Sequence, residues 1–248
     1  MLSKNMLNKV VFVSSHINDE FRKYLNENNY RVITLNKNLE IRDEISTHPD
    51  IFLTLVDNEI IFEPFTYEKI CDNNYFISAY KVHKGSTILS KHYPMDIAYN
   101  VAIVGNYAIH NTKYTDDIIK KVVKKLGKEW IHINQGYSKC SIVIANDKAI
   151  ITSDKGIYNT FKNRLDVLLI KEGYVKLKGM KYGFLGGASG KIGDTLVFYG
   201  NLESHIDFFR IVKFLEERNI KYKYFKEFEL EDIGSIIEIP LNKSRRIK

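Results

Sequence analysis

The chain has 248 residues, of which 44% are hydrophobic, 27% are charged and only four are proline. Such a composition supports a folded core and excludes a disordered tail or a collagen-like fibre. Against 30 Asp and Glu stand 37 Lys and Arg, and the resulting +7 is large enough to raise nucleic acid as a partner.

The first apolar run, 10–15, reads as a strand. A helix follows near 18–28, and a second strand over 30–35. The run 51–56 is separated from 59–62 by Asp57-Asn58, a tight-turn pair. A short helix over 66–72 and a strand over 75–81 come next. Gly105-Asn106 separates 101–104 from 107–109. Thr115 is placed to cap a helix over 116–126 that Gly127 ends, and a strand over 130–134 follows. Asn146-Asp147 then divides 141–145 from 148–152. Ser153 is placed to cap a helix running to 161, ahead of a strand over 166–170. Gly193-Asp194 divides 191–192 from 195–199. Asn201 or Ser204 caps a helix to about 218, with a strand over 220–225 after it. A last apolar run, 235–239, has nothing after it to pair with.

The four turn pairs recur at spacings of 48, 41 and 47 residues, so the chain reads as a repeat with little residue identity. Each repeat has the order strand, strand, helix, strand. The run at 10–15 lacks a first strand, and the run at 235–239 lacks a second. Pairing them supplies a fifth unit and closes a ring, which removes exposed sheet edges. The expected fold is therefore an α/β, five-bladed ββαβ propeller closed by the N- and C-terminal strands. It is expected as a single domain over 1–242, with a basic tail at 243–248.

Two distant cysteines, Cys71 and Cys140, form neither a disulfide framework nor a zinc pair. No apolar run is long enough to span a membrane, and no signal-peptide core precedes residue 10. A reducing, cytoplasmic compartment is expected. The lysines at 120, 121, 124, 125 and 128 alternate with Ile118, Ile119, Val122, Val123 and Leu126 at helical spacing. They form the solvated face of one helix, and four more positive charges lie in the last six residues. Those placements account for most of the excess, so no nucleic-acid partner and no membrane partner are expected. A homodimer is compatible with the sequence.

Several segments carry a resemblance. They are His48-Pro49-Asp50-Ile51, Ala98-Tyr99-Asn100-Val101-Ala102 and Gln135-Gly136-Tyr137-Ser138-Lys139-Cys140-Ser141. To these add Ile151-Thr152-Ser153-Asp154-Lys155-Gly156-Ile157, Gly186-Gly187-Ala188-Ser189-Gly190 and Asp232-Ile233-Gly234-Ser235-Ile236-Ile237. With the five-unit pattern, they resemble the pentein fold, the guanidino-group-modifying superfamily, and more closely a clostridial-type family of that fold. The superfamily includes arginine deiminase, agmatine deiminase, dimethylarginine hydrolase and glycine amidinotransferase. The resemblance implies attack on a guanidinium or amidine carbon by a Cys near the C-terminus, with a His and carboxylates assisting. Ser235 stands where that Cys is expected. Ser138, Lys139, Cys140 and Ser141 stand where the His is expected. Asp50 lies roughly where a substrate carboxylate belongs.

In such a ring the starts of the inner strands converge on the axis. There the sequence offers His48, Asp50, Asp96, Asn100, Lys139, Cys140, Ser189, Asp232 and Ser235. Cys140 reads as a displaced nucleophile, activated by Lys139 or His48, or as a small core residue. His48, held extended by Pro49, reads as a general base or as a loop tie. Ser235 is the alternative nucleophile. Asp50, Asp96, Asn100, Lys139, Ser189 and Asp232 are candidate binding groups for a small-molecule ligand. The glycine segment 183–192 fits neither a P-loop nor a dinucleotide pattern; its amides offer a nest for an anion. No Cys/His spacing suggests a metal, and no cofactor is expected. The reaction expected from the resemblance is hydrolysis or transfer at a C–N bond of a guanidino- or amidine-type compound. The alternative is a non-catalytic binding or interaction protein, because the usual Cys and His are out of place.

Overall fold

A computed structural model describes residues 9–35, 37–71 and 81–239. The chain begins with β1 (Lys9–Ser14), α1 (Asp19–Glu27) and β2 (Tyr30–Leu35). One turn of helix, α2 (Pro49–Phe52), then leads into β3 (Leu53–Val56), β4 (Glu59–Phe62), α3 (Pro64–Cys71) and β5 (Lys81–Lys84). The third unit is β6 (Ala102–Val104), β7 (Tyr107–His110), α4 (Asp117–Lys125) and β8 (Glu129–His132). A second single turn, α5 (Ser138–Ser141), precedes β9 (Ile142–Asn146), β10 (Ala149–Thr152), α6 (Lys155–Phe161) and β11 (Asp166–Leu169). The last whole unit is β12 (Ser189–Ile192), β13 (Thr195–Phe198), α7 (Phe208–Glu216) and β14 (Lys221–Lys223), after which comes β15 (Ile237–Ile239).

These strands form five separate three-stranded sheets. In each, the middle strand pairs antiparallel with the inner strand and parallel with the outer one. The first sheet is assembled from both ends of the described chain. β15 pairs antiparallel with β1, with Val10 opposite Ile239 and Phe12 opposite Ile237. The inner strands β15, β12, β9, β6 and β3 follow one another around the axis. Helices cover the outside through apolar stripes: Ile119, Val122 and Val123 on α4, and Ile211, Phe214 and Leu215 on α7.

Three of the four turn pairs stand where expected, and the fourth falls at 147–148 because β9 runs on through Asn146. Asp57, Gly105 and Gly193 all adopt positive φ, at 54°, 52° and 61°, as tight hairpins require. Helix starts were displaced. Asp116, not Thr115, caps α4 by accepting from the amides of Ile118 and Ile119. The Thr115 hydroxyl is turned to His110 instead, 2.6 Å from Nδ1. Asp154, not Ser153, caps α6 through the Ile157 amide. Asn201 caps only a 3-10 turn, Leu202–Ser204, and α7 starts four residues later. The strand expected over 75–81 lies outside the described residues except for Lys81, where β5 begins; the tail at 243–248 also lies outside them. The run at 235–239 is extended only from Ile237, because Ser235 takes a left-handed φ of 69°. No helix among the described residues is long and apolar enough to cross a membrane.

Candidate functional site

Three local devices deliver polar side chains to one end of the ring axis. Pro49 opens α2 at a position where its missing N–H costs nothing, and the turn buries Asp50 completely. α5 presents Lys139 and Cys140 on the approach to β9. Gly234 and Ser235, both at positive φ, fold the chain sharply before β15.

Asn100, in the loop before β6, ties these segments together. Its Oδ1 accepts from the amides of Lys139 (2.8 Å) and Cys140 (3.3 Å). Its Nδ2 donates to the Asp50 carbonyl (3.1 Å) and to Cys140 Sγ (3.2 Å). Asp50 is the next node. Its Oδ2 accepts from Cys140 Sγ at 3.0 Å and from Ser235 Oγ at 2.6 Å. Lys139 Nζ donates to Ser235 Oγ at 3.0 Å. Asp50 Oδ1 is buried and has no partner.

Burial sets the protonation of this network. It raises Asp50, with the neighbouring Asp232 charge adding to the effect. It pushes the Cys140 thiol well above its usual range, helped by Asp50 and Asp232. It pulls the half-buried Lys139 down, against the attraction of Asp50. Cys140 is thus a protonated thiol that donates to Asp50, not a thiolate.

His48 and Asp232 form a second pair beside the first. Asp232 accepts from the amides of Phe184 (2.9 Å) and Gly234 (3.0 Å). The glycine segment is therefore built around an anion that the chain supplies itself: a methyl group at Gly183 or Gly187 would collide with Asp232. His48 Nδ1 is buried, lacks a hydrogen-bond partner, and stands 3.8 Å from Asp232 Oδ1. Burial takes His48 down to about 4 and Asp232 up to about 6, so the imidazole is neutral at pH 7. Both residues line a cavity of about 510 Å³, the mouth cavity, between the loops that follow β1, β2, β11 and β14. Asp43, Glu44, Glu231 and Asp232 outnumber Lys37 and Lys178 in its wall.

Two expected members stand apart. Asp96 belongs to a separate cluster: the Tyr137 hydroxyl donates to its Oδ2 at 2.6 Å, and Arg42 Nη2 lies 3.5 Å from the same oxygen. Arg42 also donates to the Tyr137 hydroxyl at 2.6 Å. Ser189 donates to the Gly186 carbonyl and touches none of the network side chains by hydrogen bond. The sequence does not point to Arg42 and Tyr137 as partners, because no spacing ties an Arg in one loop to a Tyr in another. Cys71 ends α3, and its side chain lies outside the described residues.

A family model described as a family of unknown function (DUF6873) matches residues 12–237. The chain belongs to that family. No curated protein matches its sequence. Among solved structures, a cysteine-to-serine mutant of DDAH from Pseudomonas aeruginosa, complexed with citrulline, aligns with a TM-score of 0.57 at 7% identity, over 92% of this chain and 93% of that one. SxtG, an amidinotransferase from Microseira wollei in the saxitoxin biosynthetic pathway, gives 0.56 at 10%, over 94% of each chain. Agmatine deiminase from C. jejuni gives 0.54 at 10%, over 91% and 88%. With the five sheets around one axis, these similarities establish the pentein fold. At such identities they speak for the fold alone.

Proposed function

We propose that the protein binds a small guanidino- or amidine-type compound at the mouth of the ring, against His48 and Asp232. The observation that carries this reading is the buried Nδ1 of His48, which lacks a partner in the wall of an acidic cavity. A buried ring nitrogen left unpaired is costly, and a ligand N–H or O–H would relieve that cost. The carboxylate excess favours a cationic group, and paired hydrogen bonds to Asp232 suit a planar one. The solved neighbours named for guanidino chemistry fit the same ligand class.

A second reading adds hydrolysis or transfer at a C–N bond, with Cys140 or Ser235 as the nucleophile. Its support is that both side chains share Asp50 Oδ2. The raised thiol weighs against Cys140 in the resting state. A thermal-shift panel of arginine, agmatine, methylarginines and simple amidines separates the readings when run beside an assay for ureido product and ammonia. A shift without product supports binding alone. Product that is lost in Cys140→Ala or Ser235→Ala supports the second reading. Neither shift nor product across the panel overturns both.

A further inference from the structure

A second cavity, of about 200 Å³, runs along the ring axis away from the mouth. Its wall is made by the inner strands. Leu55, Ile103 and Ile144, on β3, β6 and β9, are only half-buried and face into it. Asn146, Asp147, Lys191 and Glu238 stand at its hairpin end. Lys139 and Ser189 stand at its other end, where the strands begin.

The hydrogen-bond inventory of this tube is one-sided. The Ser189 hydroxyl donates to the Gly186 carbonyl, and the Thr54 hydroxyl donates to the Tyr99 carbonyl. Lys139 spends one N–H on Ser235 and keeps at least one more whether its amine is neutral or charged. At the strand-start end, the free donors therefore come from Lys139. A ligand reaching it needs an oxygen acceptor at its tip, and a charged acceptor forms the stronger bond. A cationic tip would offer that N–H no acceptor. Asp50 does not line the tube, although it accepts from the same Ser235 hydroxyl to which Lys139 donates. Behind Lys139 the wall is made of Leu, Val and Ile side chains.

We propose that this axial tube is a binding site for a short straight-chain carboxylate, with its carboxylate on Lys139 and its chain against Leu55, Ile103 and Ile144. The volume is below that of a drug-sized pocket, so the ligand is a short acid and not a membrane-type fatty acid. This site is distinct from the mouth cavity and takes the opposite charge.

The test is calorimetric titration of the full-length protein with straight-chain acids from acetate to octanoate, and with the alkanols and alkylamines of the same lengths. Affinity for the acids is expected to rise roughly fourfold per methylene until the tube is full, then to fall. Lys139→Met is expected to weaken acid binding at least tenfold and leave the alkanols unchanged. Ile144→Trp, which keeps the ammonium and fills the tube, is expected to abolish the dependence on chain length. It also keeps the test decisive if Lys139→Met does not fold. His48→Ala is expected to leave acid binding intact, so failure of the mouth site and of the tube are told apart. Equal binding of acids and alkanols, no acid binding at millimolar concentration, or full acid binding by Ile144→Trp would overturn the proposal.

Discussion

Asp232 and His48 sit close together with opposite responses to pH. The Asp232 carboxyl moves from 3.8 up to about 6 on folding, and His48 moves from 6.5 down to about 4. Between those limits the folded chain keeps a proton on Asp232 that the unfolded chain has released. Rising pH therefore costs stability at Asp232 across that window, by about 3 kcal/mol at ~1.4 kcal/mol per pH unit. At His48 the unfolded chain holds the extra proton, so rising pH restores stability there. Asp232→Asn removes the first response and keeps the second. Urea denaturation from pH 4 to 7 should show the variant gaining on the wild type by up to about 3 kcal/mol as pH climbs to about 6, then holding level. A difference that does not change with pH would mean that Asp232 is not held protonated by burial. Asp232 accepts from the Phe184 and Gly234 amides with different oxygens, so Asn keeps only one of the two bonds; that loss is the same at every pH, and the pH-dependent part of the difference carries the test.

Helix capping shows which elements depend on more than their own sequence. Asp116 caps α4 with one oxygen and, with the other, accepts from the Ser86 and Thr87 amides and the Ser86 hydroxyl. Asp154 caps α6 and otherwise accepts only from the Gln135 side chain. Asp154→Ala should cost about 1 kcal/mol, as an ordinary cap does. Asp116→Ala should cost roughly 3 kcal/mol, because three more donors lose their acceptor. Chemical denaturation of the two variants measures the gap, and equal losses would contradict the double role. The hairpins were readable because Asp57, Gly105 and Gly193 are residue types that tolerate positive φ. The caps fall one residue later than the sequence suggests because Thr115-Asp116 and Ser153-Asp154 each offer two capping side chains in a row. Only the tertiary partner of Thr115, His110, decides the first case. The polar residues before the inner strands stood out against apolar runs, whereas the Arg42–Tyr137–Asp96 cluster joins loops whose course no periodicity specifies.

At the scale of the whole molecule, β1 is the strand on which closure depends. It lies in the middle of its sheet, paired with β2 on one side and β15 on the other. A central strand has no position where an N–H is unneeded. Val11→Pro should therefore remove cooperative unfolding altogether, followed by circular dichroism against temperature. A variant that keeps a sharp transition near the wild-type midpoint would show that the ring does not rely on this closure. The same ring separates two environments on one axis. His48 and Asp232 stand in the mouth cavity; along the axis runs a tube with Lys139 at its start and Leu55, Ile103 and Ile144 in its wall. The measurement that bears most directly on the role of the mouth is calorimetric titration of wild type and Asp232→Asn with the panel compound giving the largest thermal shift. Binding by the wild type, weakened at least tenfold by the substitution, is the predicted result, since a hydrogen bond to a charged group is worth roughly 1.5–3 kcal/mol. Equal affinity for both proteins, or no panel compound that binds the wild type, would contradict the assignment of the mouth cavity as the ligand site.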